Sequence, residues 1–244
     1  MKYKLTASIV VYHNDPDEVA AASDSFLSTA IQDKILYIID HSKEDNLKHL
    51  FLGREQVVYA HHPENKGFGA GHNIAIREIW DHSDYHLVLN PDVTFEPEVL
   101  PELIDYLDQH PDTAVVMPKV LDQHGQIQYL AKLLPHPIDL LLKRFLPDRW
   151  IEKRLERFQL KHSGYDQIMN VPYLSGCFML LRCAAIREKG MFDERFFMYP
   201  EDIDLTRRMH GSYRTVYYPF VHIIHRHEAS SYKNVKMLWI HITN

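Results

Sequence analysis

The sequence predicts an α/β fold in which helices flank a mostly parallel central sheet. Short apolar segments that suit β-strands alternate along the first half with segments whose apolar residues recur every three or four positions. This alternation is typical of βαβ units. We expect strands at Leu5–Val11, Lys34–Asp40, Val57–His61, Tyr85–Asn90 and Ala114–Pro118.

The helices between these strands are expected at Pro16–Ala30, His72–Trp80 and Glu96–His110. The last has the clearest amphipathic pattern, because its apolar residues repeat at spacings of three and four. The second half of the chain begins with an irregular, charged stretch from Leu130 to Gln167. Beyond it we expect a strand at Cys177–Arg182, a helix at Glu201–Met209 and a strand at Arg214–Tyr218.

Length and charge narrow the class of protein. A chain of 244 residues with 45% hydrophobic content can bury one sizeable core, so we expect a single domain over residues 1–244. The net charge is −6. Because proteins that bind nucleic acid neutralise its phosphates with Lys and Arg, we expect no nucleic-acid partner.

The cysteines and the lengths of the apolar segments indicate where in the cell the protein is located. Cys177 and Cys183 would lie about 20 Å apart in an extended segment, too far for a disulfide, which favours a reducing environment. The apolar run near the N-terminus is too short for a signal peptide, and no stretch approaches the roughly 18 to 20 apolar residues of a membrane span. We expect a cytoplasmic protein, with attachment to the inner face of the cell membrane left open.

Polar side chains follow four successive predicted strands. In open α/β sheets ligands bind beyond the carboxyl ends of the strands, so these positions are the candidate site. Asp, Asn and Pro are common in turns, so any one of these segments could simply form a turn. Four such segments in succession are more than turn formation explains. They are Tyr12-His13-Asn14, Asp40-His41-Ser42, "PENKGFGAGHN" at 63–73 and "NPDV" at 90–93.

The glycine-rich segment Gly67–Asn73 suits the approach of a phosphate to the N-terminus of a helix. A dinucleotide-binding fingerprint is the first interpretation. It fails on placement, because that fingerprint follows the first strand, whereas these glycines follow the third.

Seven segments together resemble the glycosyltransferase family 2 enzymes of GT-A fold, especially their bacterial rhamnosyltransferase-like branch. They occur in the family's order and at ordinary spacing over roughly residues 7 to 231, which makes the resemblance far more specific than one motif. The segments are "SIVVYHN", "YIIDHS", "ENKGFGAGHN", "LNPDV", "SGCFMLLR", "FFMYPEDIDLTRRM" and "HIIHRHEASS". The resemblance implies a nucleotide-binding half, 1–118, and an acceptor-binding catalytic half, 119–244.

The resemblance implies a divalent metal, Mg²⁺ or Mn²⁺, bound by Asp92 against the donor diphosphate. Asn90 stands where the family's D-x-D motif has its first aspartate. One carboxylate suffices for a hard cation that keeps waters and substrate phosphates as ligands. A family histidine five residues before a serine contacts the metal or the diphosphate, and His225, ahead of Ser230, matches it.

Asp202 matches the family's general base, and Glu201 would orient the acceptor. An inverting transfer needs a carboxylate that removes the proton of the acceptor hydroxyl while the leaving diphosphate is held on the opposite side of the sugar. Helix-dipole complementation explains some of these N-terminal carboxylates equally well. The nucleotide-sugar contacts that the resemblance implies are Tyr12, Asp40, Asn65, Gly67, Asn73, Asn90, Gly176 and Arg208. A solvent-facing role for Arg208, and core packing for Gly176, remain open alternatives.

His222, His225 and His227 also raise the possibility of a zinc hydrolase. A continued strand would point His225 and His227 in opposite directions, which disfavours a shared tetrahedral site.

The segment 130–167 is variable and basic, with eight Lys or Arg against four Asp or Glu between Lys132 and Lys161. Its apolar residues make an amphipathic surface that suits either contact with anionic lipid or a solvated helical face. Relatives in the family usually continue past "SSYKN", so we expect the acceptor or membrane side of this chain to be incomplete.

The sequence therefore predicts an inverting glycosyltransferase of surface polysaccharide synthesis. Its donor would be a nucleotide-diphosphate sugar, with dTDP-L-rhamnose favoured by the branch, and its acceptor a saccharide or lipid-linked glycan. Two alternatives remain. A nucleotidyltransferase would normally carry a glycine- and arginine-rich, lysine-bearing loop after the first strand, and a non-catalytic nucleotide-sugar binding protein would not need Asp92 and Asp202 together.

Overall fold

The computed structural model describes residues 2–135 and 148–226, and within the helix that starts at Asp148 it describes side chains from residue 152 onward. The strands are β1 Tyr3–Val11, β2 Lys34–Asp40, β3 Val57–His61, β4 Ser83–Leu89, β5 Val93–Phe95, β6 Thr113–Leu121, β7 Ala131–Lys132, β8 Met169–Asn170, β9 Tyr173–Leu174, β10 Phe178–Arg182 and β11 Arg214–His225. The helices are α1 Pro16–Leu27, α2 Phe68–Ile79, α3 Val99–Gln109, α4 Asp148–Phe158, α5 Cys183–Lys189 and α6 Pro200–His210.

Nine of these strands form one sheet, in the order β3-β2-β1-β4-β10-β6-β11-β5, with β8 paired to β11. The strands β3, β2, β1 and β4 are all parallel, and β6 is parallel to β11. Strand β10 lies antiparallel between β4 and β6. The predicted α/β fold is thus confirmed, and the parallel half brings the carboxyl ends of β1, β2, β3 and β4 to one edge.

The sheet is buried on both faces. Leu5, Ala7 and Ile9 are fully buried on one side of β1, and Thr6 and Ser8 are fully buried on the other. Near-continuous burial of this kind is expected when helices cover both faces of a parallel sheet.

Two core histidines explain part of the polar content of β1 and β4. The hydroxyl of Ser8 lies 2.7 Å from His72 Nδ1 and 2.8 Å from His86 Nε2, and the hydroxyl of Thr6 lies 2.8 Å from His86 Nδ1. Thr6 donates onward to the carbonyl oxygen of Tyr85 at 3.3 Å. These contacts can all form with both rings neutral, and burial lowers the pKa of both histidines, that of His86 to about 3.

The structure corrects three of the expected elements. Helix α2 begins at Phe68 rather than at residue 72, so Gly69 and Gly71 lie inside it. Strand β11 continues to His225, seven residues beyond the expected end. The stretch expected to be irregular contains α4 and the short strand β7, while residues 136–147 lie outside the described part of the chain.

Close packing explains the glycines of α2. A Cβ on Gly71 would lie 2.8 Å from both methyl carbons of Val10, and one on Gly69 would lie 2.8 Å from Cβ of Phe192. These residues allow the helix to approach β1 and the segment before α6 more closely than any side chain would permit.

Candidate active site

Asp202 lies in the first turn of α6 and is held by two backbone donors. Its Oδ2 accepts the N–H of Gly176 at 2.9 Å, and its Oδ1 accepts the N–H of Ile203 at 2.7 Å. The side chain is almost fully buried. Burial raises the pKa of Asp202 to about 6, while the Gly176 hydrogen bond acts in the opposite direction. A fixed carboxylate with a pKa near neutrality suits a general base.

Glu201 precedes Asp202 and is 3% exposed. Its Oε2 is buried and has no hydrogen-bond partner within 2–135 and 148–226, so among these residues it is an unsatisfied acceptor. Burial, followed by the charge of Asp202, raises the pKa of Glu201 to about 7. The residue before the helix, Tyr199, has φ +84°. Backbone strain at a non-glycine residue beside two carboxylates is typical of functional sites.

The turn Asn90–Asp92 joins β4 to β5 and lies against the same segment as Asp202. The N–H of Asn90 donates to the carbonyl oxygen of Cys177 at 2.9 Å. Cys177 follows Gly176, and burial, with the nearby charges of Asp92 and Asp202, raises the pKa of its thiol to about 12. The segment before β10 therefore connects the two aspartates that the sequence singled out.

His225 ends β11 and faces Asp92. Its Nε2 lies 3.4 Å from Asp92 Oδ2. Its Nδ1 lies 2.8 Å from Gln128 Oε1, and Gln128 Nε2 donates to the carbonyl oxygen of His225 at 2.8 Å. Because the Gln128 amide uses its nitrogen on that carbonyl, its oxygen must accept from Nδ1–H, which leaves Nε2 directed toward the carboxylate.

The pair of Asp92 and His225 fits a divalent cation. A carboxylate oxygen and an imidazole nitrogen that face each other at 3.4 Å are both common metal ligands. A metal-binding histidine usually donates its other ring N–H to an oxygen acceptor, as Nδ1 of His225 does here to Gln128. In the ranges 2–135 and 148–226, no group of three or more His, Cys, Asp or Glu side chains is placed to hold a metal.

Asp40 ends β2 and is fully buried. Its Oδ1 accepts the N–H of Ser42 at 2.8 Å, and its Oδ2 accepts the hydroxyl of Tyr59 at 2.7 Å. The structure thus shows Asp40 bracing the ends of β2 and β3. Tyr12, at the end of β1, is half exposed, and its N–H donates to Asn14 Oδ1 at 3.0 Å.

Three other residues expected to contact the nucleotide sugar are engaged within the protein. Asn65 Oδ1 accepts the N–H of Gly67 at 2.9 Å, which closes a tight turn. A Cβ on Gly67 would lie 2.2 Å from the carbonyl oxygen of Phe197, so this glycine is required by backbone packing. Asn73 bonds both backbone groups of Phe192, and its amide also donates to Glu194.

Arg208 likewise lies in a structural network. Its Nε donates to Asp204 Oδ2 at 2.8 Å, and its other nitrogens donate to the carbonyl oxygens of Lys189, Gly190 and Met191. Asn73 and Arg208 thus hold the segment between α5 and α6, and their contact with a nucleotide sugar stays a prediction.

Gly176 has a tight environment. A Cβ there would lie 3.1 Å from Phe68 Cε1 and 3.4 Å from Asp202 Cβ. The zinc interpretation finds no support from His222, which is exposed while His225 is buried. His227 and Ser230 lie outside the described residues.

Sequence reasoning missed Gln128 and Lys132 as site residues. Gln128 is 97 positions from His225, and no local pattern marks it. The sequence marked Lys132 only as one of the charges of the basic segment. In the structure β7 pairs with β9, and Lys132 lies opposite Tyr173. Tyr173 in turn precedes Gly176 by three residues.

The protein-family model of glycosyl transferase family 2 matches residues 8–190 of the chain. The chain belongs to this family. The match covers the parallel half of the sheet, the Asn90–Asp92 turn and Gly176, and it ends before Asp202 and His225.

Two curated relatives support the rhamnosyltransferase-like branch of family 2. The N-acetylglucosaminyl-diphospho-decaprenol L-rhamnosyltransferase of Mycobacterium tuberculosis is 28% identical over 177 residues, covering 68% of this chain and 57% of the relative. Rhamnosyltransferase WbbL of Escherichia coli is 27% identical over 183 residues, covering 71% of this chain and 66% of the relative. The matched part of this chain thus spans between half and two thirds of each relative.

Solved structures confirm the GT-A architecture. The mannosyltransferase PcManGT from Pyrobaculum calidifontis, solved in complex with GDP-Man and Mn²⁺, superposes with a TM-score of 0.64 at 12% identity. The alignment covers 95% of this chain and 59% of that chain. At this identity the likeness concerns the fold alone.

Proposed function

We propose that this family 2 protein is an inverting glycosyltransferase that moves a sugar from a nucleotide diphosphate to a saccharide or lipid-linked glycan. The observation that carries the proposal is the placement of two acidic centres on either side of one backbone segment. Asp202 is bound to the N–H of Gly176, and the Asn90–Asp92 turn is bound to the carbonyl of Cys177.

The two centres divide the work of a single displacement. Asp202 takes the proton of the acceptor hydroxyl as that oxygen forms its bond to the anomeric carbon, and the bond from that carbon to the diphosphate oxygen breaks. A base on one side of the sugar and a leaving group held on the other give inversion. Glu201, whose Oε2 has no hydrogen-bond partner among the residues that the structure describes, is suited to accept a hydrogen bond from an acceptor hydroxyl.

Asp92 and His225 would hold the divalent cation, Mg²⁺ or Mn²⁺. A cation bound there would neutralise charge on the leaving diphosphate. Two protein ligands are enough for an ion whose remaining positions are taken by phosphate oxygens and water. Gln128 fixes the ring of His225 for this purpose.

The nucleotide would lie along the ends of β1 to β3. Tyr12 is exposed there and is suited to contact a base or ribose, while buried Asp40 shapes this surface through Ser42 and Tyr59. Both curated relatives are named as rhamnosyltransferases, which supports dTDP-L-rhamnose as the donor.

The named relative from M. tuberculosis acts on a glycan carried by a diphospho-lipid, which supports a lipid-linked acceptor here and a place in surface polysaccharide synthesis. In the parts of the chain that the structure covers, no helix has the length and apolar character needed to cross a bilayer. We propose that acceptor access comes from contact at the cytoplasmic face of the membrane. Exposed Lys153, Arg154 and Arg157 on α4 are suited to anionic lipid.

Thermal unfolding with dTDP, UDP, GDP or NADH, each with and without Mn²⁺, tests the binding part of the proposal. Selective binding raises the midpoint, and we expect the largest rise with dTDP and Mn²⁺ together. Asp92→Asn should remove the Mn²⁺-dependent part of the rise, whereas the matched control Asp84→Asn, on the far end of β4, should retain it. A rise with NADH alone, or with no diphosphate, would contradict the proposal.

A further inference from the structure

Lys132 lies on the short strand β7, which pairs with the strand that leads to the proposed base. In the antiparallel pair of β7 and β9, Lys132 is opposite Tyr173 and Ala131 is opposite Leu174. Strand β9 leads directly into Ser175, whose N–H donates to the carbonyl oxygen of Leu130 at 3.3 Å. The same segment then supplies the Gly176 N–H that binds Asp202, so backbone hydrogen bonds connect the lysine strand to the base.

Two aromatic rings locate the ammonium group. Lys132 Nζ lies 5.3 Å from the ring centroid of Tyr173 and 5.9 Å from that of Phe158. The N–H of Leu133 donates to the carbonyl oxygen of Phe158 at 3.0 Å, which fixes the end of α4 against β7. Cation–π contact with two rings restricts a side chain that is otherwise flexible.

The charges around Asp202 come from several elements. Glu201 lies beside it on α6, and Asp92 lies across Cys177 on the turn after β4. Tyr173 on β9 stays neutral, because burial and the two α6 carboxylates raise its pKa well above the ordinary value. Lys132 is a cation in this acidic surrounding, and its charge favours the ionised form of Asp202.

We propose that Lys132 is a positioning residue that keeps Asp202 in its carboxylate form during sugar transfer. The proposal rests on the proposed function, since it assigns Lys132 a role through the base of that reaction. Burial alone would leave Asp202 protonated over part of the neutral range, and a protonated carboxyl cannot accept the hydroxyl proton. The ammonium offsets that effect.

The pH dependence of kcat/KM for hydrolysis of the donor by water tests this role without needing the acceptor. The wild-type protein should lose activity with an apparent pKa near 6 as the pH falls. In Lys132→Met we expect this value to rise by about one pH unit, the size of effect that an opposite charge nearby produces. Lys132→Arg, which keeps the charge, should restore the wild-type profile.

Lys161→Met is the matched control, because Lys161 also places its Nζ over an aromatic ring, at 4.9 Å from the centroid of Tyr129. Its pH profile should equal that of the wild-type protein. Since Glu201 titrates in a similar range, the comparison is repeated in Glu201→Gln. An unchanged apparent pKa in Lys132→Met, or an arginine variant that behaves like the methionine variant, would overturn the proposal.

A second readout separates this proposal from the proposed function. The carboxyl-stretch infrared difference between the wild-type protein and Asp202→Asn, followed from pH 4 to 8, reports ionisation of Asp202 without turnover. The same difference measured in the Lys132→Met background should titrate at higher pH. If the wild-type protein hydrolyses no nucleotide sugar, the proposed function fails, while the infrared titration still decides whether Lys132 controls Asp202.

Discussion

Replacing Asp202 by asparagine is expected to reduce activity strongly while leaving the protein as stable as before, or more stable, at alkaline pH. Loss of a general base typically lowers kcat by about 10² to 10⁴. The stability effect follows from the burial of the carboxylate. Its pKa is raised from the ordinary value of 3.8 to about 6.

The direction of the stability change depends on the protonation of Asp202 in the folded and the unfolded protein. Between pH 3.8 and about 6 the unfolded chain has lost the proton and the folded protein has kept it, so the free energy of unfolding decreases as pH rises. At pH 8 the ionised side chain destabilises the fold by about 3 kcal/mol, and at pH 4.5 by about 1 kcal/mol. Asparagine does not ionise, so this destabilisation is absent from the variant at both pH values.

Asparagine also loses one good hydrogen bond, since its amide nitrogen must face the N–H of either Gly176 or Ile203. That loss costs about 1–3 kcal/mol at any pH. The net change in unfolding free energy should therefore lie between zero and about +2 kcal/mol at pH 8, and be about 2 kcal/mol less favourable at pH 4.5.

Urea unfolding at the two pH values measures stability, and release of nucleoside diphosphate from the donor measures activity. Asp105→Asn, an exposed position on α3, is the control and should change neither. The reasoning would be refuted by an Asp202→Asn variant that keeps a tenth or more of the activity, or that loses more than about 2 kcal/mol of stability at pH 8.

Three further predictions concern the core, the packing of α2 and the metal site. Because burial holds the pKa of His86 at about 3 against an ordinary 6.5, only the unfolded chain takes up this proton between those values, so unfolding free energy should fall by about 2 kcal/mol from pH 6.5 to pH 5. Urea titrations should show a smaller fall in His86→Gln than in the exposed control His49→Gln, and equal falls would contradict the assignment. Gly71→Ala should lower the unfolding free energy by about 1–3 kcal/mol, since its Cβ would lie 2.8 Å from Val10, whereas Gly211→Ala, with no atom nearer than 3.6 Å, should be near neutral. Equal stability of the two alanine variants would argue against tight packing there. Gln128→Leu should weaken Mn²⁺ binding, measured by calorimetry in the presence of dTDP, by about 10- to 100-fold through loss of the His225 support, and unchanged affinity would remove His225 from the metal site.

The strands were the most predictable part of the fold. Lys34–Asp40 and Val57–His61 have the bounds that their apolar runs predict, because turn residues stop each run on both sides. The predicted start of α2, at residue 72, was wrong because glycines usually indicate a loop and here lie inside the helix. Gly67, Gly69 and Gly71 are explained by contacts with Phe197, Phe192 and Val10, which are distant in sequence and leave no periodic signal.

The candidate site also has a part that the sequence predicts and a part that it does not. Sequence placed Asp92 and Asp202 at element ends, and the structure connects both to the segment Gly176–Cys177. The supporting contacts could not be read from the chain. Gln128 reaches His225 across 97 positions, and Lys132 reaches the site through strand pairing with Tyr173.

The hydrogen bonds that Asn73 and Arg208 make within the protein could not be predicted from the sequence either. Asn73 and Arg208 are polar side chains in matched motifs, and this favoured a substrate-binding role. In the structure Asn73 bonds the backbone of Phe192, and Arg208 donates to the carbonyl oxygens of Lys189 and Met191. A polar side chain that fastens a loop is indistinguishable, in one sequence, from one that faces a ligand.

Turnover of dTDP-L-rhamnose tests the central claim most directly. The purified protein, with Mn²⁺ and a short-chain lipid analogue of N-acetylglucosaminyl diphosphate, is followed by proton NMR of the anomeric signals. We expect a new glycoside with the anomeric configuration opposite to that of the donor, and no such product from Asp202→Asn. A product that retains the donor's configuration, or binding of the diphosphate with neither transfer nor hydrolysis of any nucleotide sugar, would contradict it.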